Sequence, residues 1–137
     1  MVTRLETGEE IAYLLGVNDD VEKYFPCSRA EWVQWLVSQA HNPGIGIWVG
    51  YDDYKDIESY IVCVNTIAPP LSHEIFILYA WSRMGVDRNQ EAFGEVIEWA
   101  QAIGATGIRA EALGDGQKQV MEGYGFKQVG IMMEMGI

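Results

Sequence analysis

Cysteine, histidine and positive charge are all scarce in this chain. Its 137 residues hold two cysteines, two histidines, four prolines, and 9 Lys or Arg against 20 Asp or Glu. Cys27 and Cys63 stand far apart, with neither metal nor redox spacing. With His41 and His73 the only histidines, no donor set for zinc is in view, and no metal is expected. The formal net charge is −11. That balance argues against nucleic acid as a partner, because such binding depends on Lys and Arg neutralising phosphates. It also leaves any anionic ligand reliant on local geometry. No apolar run approaches the ~20 residues of a membrane span. The N-terminal stretch carries Glu6, Glu9, Glu10, Asp19 and Asp20 without a sustained apolar segment, so no signal peptide is expected. The expectations are no membrane partner and a cytoplasmic location.

What remains is ordinary globular composition, 49% hydrophobic and 21% charged, which suits one domain over residues 1–137. Five Trp and seven Tyr are many for this length and are expected in the core or on a pocket rim. Cys63 lies in the apolar run Tyr60-Ile61-Val62-Cys63-Val64 and reads as a small buried hydrophobe. Serine-hydrolase chemistry would need a base positioned by a third group, and nothing in the sequence suggests one.

Three helix starts carry capping-box chemistry, in which a short side chain caps the helix and a Glu or Gln reaches back. Thr7-Gly8-Glu9-Glu10 opens a helix with Ile11, Leu14 and Leu15 as its stripe. Ser28-Arg29-Ala30-Glu31 opens a second, with Trp32, Val33, Leu36, Val37 and Ala40 at helical spacing, ended by Asn42-Pro43-Gly44. Asp87-Arg88-Asn89-Gln90 precedes a third, with Phe93, Val96, Ile97, Ala100 and Ile103 facing inward and Gly104 closing it. Segments 45–51 and 58–66 flank the polar turn 52–56 and read as an antiparallel hairpin. Gly44, Gly46 and Gly50 are then explained by bulges or close packing, not by a phosphate loop. Strands are predicted over 73–82 and 108–113, a short helix over 117–123, and a last strand from Lys127 to about Met135. The strand, helix, strand unit implies a crossover to a parallel neighbour. The class is α/β with a mixed sheet.

Two segments carry a family likeness. Glu98-Trp99-Ala100-Gln101-Ala102-Ile103-Gly104 ends the long helix, and Val120-Met121-Glu122-Gly123-Tyr124-Gly125-Phe126 runs a short helix into Gly-Phe. In this order and spacing, residues from His73 onward resemble the second half of the GCN5-related N-acetyltransferase (GNAT) fold. The earlier segments agree in order only. The resemblance implies an acyl-CoA N-acyltransferase fold, a mixed central sheet with helices on both faces, and acetyl-CoA as the cofactor.

It also implies site residues. The pantetheine arm would lie along the splayed strand at Tyr79, Ala80 and Trp81. The pyrophosphate would sit at the start of the next helix, where orphan amides favour an anion. The family supplies that loop with an Arg or Gln and two spaced glycines. Here the loop reads Met84-Gly85-Val86-Asp87-Arg88-Asn89-Gln90, with Asp87 and Asn89 in the glycine positions and Met84 in place of the Arg or Gln. Asn89 can adopt a left-handed conformation and keep the turn. Asp87, as a cap, would satisfy the amides a phosphate needs and would repel it. Arg83 or Arg88 would compensate in a working site. On the catalytic side, the family's Tyr position on the short helix is Met121, and Tyr124 is the substitute acid or a core aromatic. Glu74, with His73 beside it, is the candidate base or a solvated strand start. Arg109 and Glu111 share a face of a strand expected to be central, as a structural ion pair or a substrate contact.

Two functions are compatible with these residues. One is acetyl transfer from acetyl-CoA to an amine of a small molecule or protein, by direct attack. The other is a non-catalytic binding or assembly protein on the same fold, of the kind that occurs in bacteriophages. The apolar tail Val129, Ile131, Met132, Met133, Met135 and Ile137 would invite pairing if left bare, so a homo-oligomer covering it is expected.

Overall fold

A computed structural model describes residues 1–68, 72–83, 89–112, 115–131 and 133–137. In chain order the elements are β1 (Val2–Arg4), α1 (Gly8–Ala12), 3-10 turns at Tyr13–Gly16 and Val21–Lys23, and α2 (Arg29–Ser38). There follow β2 (Ile45–Tyr51), β3 (Ile57–Ala68), β4 (Ser72–Ser82), α3 (Asn89–Ala102), β5 (Gly107–Ala110) and α4 (Asp115–Gly123). The five strands form one sheet in the order β1-β2-β3-β4-β5. Pairing is antiparallel up to β4 and parallel between β4 and β5, with α3 as the crossover.

Local chemistry sets these elements. Thr7 with Glu10, and Ser28 with Glu31, both form complete capping boxes. The β2–β3 turn is tied by Asp52, whose Oδ1 accepts from the Tyr54 and Asp56 amides at 2.8 and 2.9 Å. Lys55 takes the left-handed conformation there, with φ 65°. Gly46 is needed because a Cβ would lie 2.2 Å from the Trp48 ring. The register shifts between Gly50 and Tyr51, so that glycine marks an irregularity.

Helices cover both sheet faces. On one face α1, α2 and the 3-10 turns bury Ile11, Leu14, Val21, Trp32, Val33 and Leu36 against the sheet's Ile47, Val49, Tyr60, Val62 and Tyr79. On the other, Ala92, Val96 and Ala100 of α3 pack on Trp48, Ile61, Cys63 and Ile75. Ala92, Val96 and Ala100 recur every four residues, and the two alanines let the helix lie close to the sheet.

Several expectations are corrected. Ile97 falls off the α3 stripe and is 36% exposed. Leu15 is 52% exposed, because it lies in a 3-10 turn where the helical period breaks. Helix α2 ends at Ser38 with Gln39 as its cap, a turn before Asn42. β5 stops at Ala110 and, among the described residues, is the edge of the sheet and not a central strand, which leaves Glu111 outside it. The last predicted strand is not seen among the described residues: 127–131 and 133–137 are neither strand nor helix. A strand needs a hydrogen-bonding neighbour, and none of the described tail residues pairs with the sheet. The third capping box, 87–90, starts outside the described residues.

Candidate active site

The β4–β5 ladder is short. It runs from Glu74 opposite Gly107 to Ile77 opposite Ala110, while β4 continues to Ser82 along β3. At the point where β5 ends, β4 also carries an extra residue: Ile77 pairs with Cys63 and Tyr79 with Val62, which leaves Leu78 without a partner on β3. Such a bulge bends its strand and increases the local twist. Residues 78–82 thus run past the end of β5, and the two strands are parallel where they pair.

Beneath this bend lies a network of tyrosines and aspartates. The fully buried Tyr60 donates its hydroxyl to Asp19 Oδ2 at 2.6 Å and accepts from Trp32 Nε1 at 3.3 Å. Tyr79 donates to Asp20 Oδ1, and the Asp20 amide donates back to the Tyr79 oxygen at 3.2 Å. Arg29 stands 3.5 Å from Asp19, whose side chain has no solvent exposure, and donates to its carbonyl at 3.1 Å. Burial, then the hydrogen bond to Asp19, pushes the Tyr60 hydroxyl far above its ordinary pKa. Burial, then Asp20, does the same to Tyr79. Both phenols stay protonated and act as donors that pin the 17–20 loop to the sheet.

The same aromatics build a groove of about 340 Å³ lined by Phe25, Pro26, Cys27, Glu31, Trp32, Trp35 and Leu78. Phe25 stacks on Trp32 at 5.1 Å and Trp32 on Trp35 at 5.9 Å. Since Leu78 is the bulged residue of β4, the groove opens at the point where β4 leaves β5. Burial first, then Glu31 and Glu22, raises the Cys27 thiol above its ordinary pKa. The Glu31 carboxyl is held low by the Ser28 amide and hydroxyl.

The structure distributes the expected site residues as follows. Tyr79 is buried toward the helices, Ala80 is exposed, and Trp81 packs partly buried on Tyr60 at 6.0 Å. Arg83 is committed to Asp52 and Glu58, at 3.2 Å each. Asn89 and Gln90 are the first residues of α3, and Asn89 is helical instead of left-handed, since only Lys55 among described non-glycine residues has positive φ. Gly85, Asp87 and Arg88 lie outside the described residues. Glu74 forms an ion pair with Arg109 across β4 and β5, so Arg109 answers to Glu74 and not to Glu111. His73 points to the opposite face, its Nε2 2.6 Å from Asn65 Oδ1. Tyr124 follows α4 with its ring 5.3 Å from Phe93 of α3. Among the described residues no group of three or more His, Cys, Asp and Glu gathers where an ion could sit. No described helix is long and apolar enough to cross a membrane.

Sequence reasoning missed Asp19, Asp20, Tyr60 and the groove. The adjacent pair Asp19-Asp20 ahead of Val21 was the one visible signal, since paired carboxylates before a buried residue need donors from elsewhere.

No family model and no curated protein matches the sequence. Solved structures do match. The aminoglycoside N-acetyltransferase AAC(6')-Iy, solved in complex with the bisubstrate analogue CoA-S-monomethyl-acetylneamine, superposes with a TM-score of 0.81 at 7% identity, over 100% of this chain and 97% of its own. The aminoglycoside 6'-N-acetyltransferase AAC(6')-IG from Acinetobacter haemolyticus gives 0.77 at 13% identity, over 100% and 97%. A putative acetyl transferase from Pyrococcus furiosus gives 0.74 at 17%, over 100% of both chains. These likenesses establish the fold: this chain has the GCN5-related N-acetyltransferase fold, a mixed five-stranded sheet with helices on both faces.

Proposed function

We propose that this protein transfers the acetyl group of acetyl-CoA to an amine, as a single cytoplasmic domain over residues 1–137 that assembles as a homo-oligomer. One observation carries the reading: β4 runs past the end of β5 with a bulge at Leu78, in a fold shared with acetyltransferases. The edge of residues 79–81 offers extended backbone against which a pantetheine arm can pair as an added strand. The pyrophosphate end falls to Arg83, Gly85, Asp87, Arg88, Asn89 and Gln90.

In this reading the acceptor nitrogen bonds to the acetyl carbon and the carbon–sulfur bond breaks. Glu74 takes the proton the nitrogen loses. It lies four residues before Leu78, about 13 Å along an extended strand, so water carries that proton, and the carboxylate exchanges Arg109 for it. Tyr124 gives its hydroxyl proton to the departing sulfur. Neither cysteine serves as a nucleophile. Burial lifts the Cys63 thiol to about 12, and Cys27 is raised as well, so both stay protonated at neutral pH.

A second reading, a non-catalytic binding protein on this fold, is favoured by the pairing of Arg83 with Asp52 and Glu58, which occupies a cation wanted at the pyrophosphate. Turnover of an amine panel with acetyl-CoA tests the first reading in Glu74→Gln, Tyr124→Phe and Cys63→Ala. Loss in the first two with activity kept in the third supports direct attack. Loss in Cys63→Ala alone points to a covalent acetyl-enzyme.

A further inference from the structure

The groove beside the bulge has a chemistry of its own. Its aromatic wall turns its polar atoms inward: Trp32 Nε1 is spent on Tyr60, whose hydroxyl is spent on Asp19, and the hydroxyl of Tyr79 behind it is spent on Asp20. What faces the groove is ring and alkyl carbon from Phe25, Trp32, Trp35 and Leu78, with Pro26 at its side. A ligand rich in hydroxyls would be desolvated there without replacement hydrogen bonds, at a cost set by each buried polar group. Glu31 also lines the groove, and its carboxylate is held beside it in the capping box, accepting from the Ser28 amide at 3.0 Å. A fixed anion beside stacked indoles, in a protein of net charge −11, favours a cation.

We infer that the groove receives a hydrophobic amine, with an aromatic or extended alkyl body against Phe25, Trp32 and Trp35 and its ammonium toward Glu31. This rests on the acetyltransferase reading for the amine's purpose but not for its binding. The groove meets β4 at Leu78, so an amine seated there has its body held while its nitrogen, once it has lost its proton, can turn to the strand's free end. The acceptor class is thus narrowed from any amine to a hydrophobic primary amine.

Binding is read by calorimetry, because tryptamine carries the same indole fluorophore as the five tryptophans and Trp35, 38% exposed, is itself replaced in one variant. The experiment titrates the full chain, without acetyl-CoA, with tryptamine, with phenethylamine, with the uncharged analogue 2-phenylethanol, and with the polyhydroxylated amine neamine. Tryptamine and phenethylamine are expected to saturate and to slow alkylation of Cys27, which lines the groove, while neamine does neither. Trp35→Ala should weaken tryptamine binding roughly tenfold, the scale of one lost aromatic contact. Glu31→Gln keeps the capping box, since Gln serves there as Glu does. It should weaken the two hydrophobic amines several-fold and leave 2-phenylethanol unchanged. Circular dichroism of each variant separates these losses from unfolding. Neamine saturating while tryptamine does not, or Trp35→Ala binding tryptamine as wild type does, would overturn the inference. Binding of hydrophobic amines without acetyl transfer would leave it standing and remove the enzyme reading. Transfer to neamine alone would do the reverse.

Discussion

Replacing Tyr60 by Phe tests whether the buried network anchors the helical layer to the sheet. The ring stays, so packing on Tyr79 and Trp81 at 5.4 and 6.0 Å is kept, and only the hydroxyl goes. Asp19 then loses a donor 2.6 Å away while its side chain remains out of solvent, leaving Arg29 as its side-chain partner in the network. Trp32 Nε1 loses its acceptor. A hydrogen bond to a charged group contributes about 1.5–3 kcal/mol, and an orphaned buried donor costs about 1–3 kcal/mol. The two overlap because they share one hydroxyl, so a loss of about 3 kcal/mol is expected, a large part of the ~5–15 kcal/mol of a domain. Urea unfolding followed by Trp fluorescence measures it. With a slope near ~1.5 kcal/mol per M, the midpoint should fall by about 2 M. Asp19→Asn and the double variant close a cycle in which the two losses should be strongly non-additive. A Tyr60→Phe midpoint within about 0.3 M of wild type would refute the reasoning, because water would then be satisfying both partners.

Two further outcomes follow from the core. Gly46→Ala places a methyl against the Trp48 ring, which Trp99 and Arg4 hold from other sides at 5.3 and 5.4 Å, so overpacking should cost about 1–3 kcal/mol; an unchanged urea midpoint would contradict the close approach. Alkaline pH should destabilise the fold. The Cys63 thiol is raised by burial from 9.0 to about 12, so between those values the unfolded chain holds fewer protons than the folded one and stability falls as pH rises. The slope is at most about 1.4 kcal/mol per pH unit from this group, and Tyr60 and Tyr79, raised in the same direction, add to it above pH 10. Urea midpoints that stay flat from pH 9 to 11 would contradict this.

The fold was legible where hydrogen bonding and periodicity act locally. Two capping boxes and the Asp52 turn follow from residues close in sequence, and the parallel β4–β5 pair from the strand, helix, strand order around α3. What was not legible depends on partners far along the chain. The tail 127–137 alternates like a strand, yet a strand is made by its neighbour, and the described tail residues have none. Ile97 is as apolar as Val96, but the small side chains of Ala92 and Ala100 decide which face lies on the sheet. Arg109 and Glu111 looked paired by spacing along one strand, whereas the carboxylate that meets Arg109 is Glu74 on the next. The groove was hidden for the same reason. Its lining joins the 25–35 segment to Leu78, and the bulge that exposes Leu78 has no mark in sequence.

The central claim is that the open end of β4 holds an acetyl-CoA molecule for transfer. Calorimetric titration of the wild-type chain with acetyl-CoA, alongside Asp87→Gly, tests it most directly. The account predicts saturable binding of one molecule per chain. If Asp87 caps the helix as the sequence suggests, losing its carboxylate would free helix amides and delete a like charge, so tighter binding in Asp87→Gly would mark that residue as a hindrance to the pyrophosphate. Lost binding in that variant would mark it as a support of the loop's shape. No heat from either protein at millimolar acetyl-CoA would contradict the claim and leave the fold to a binding role.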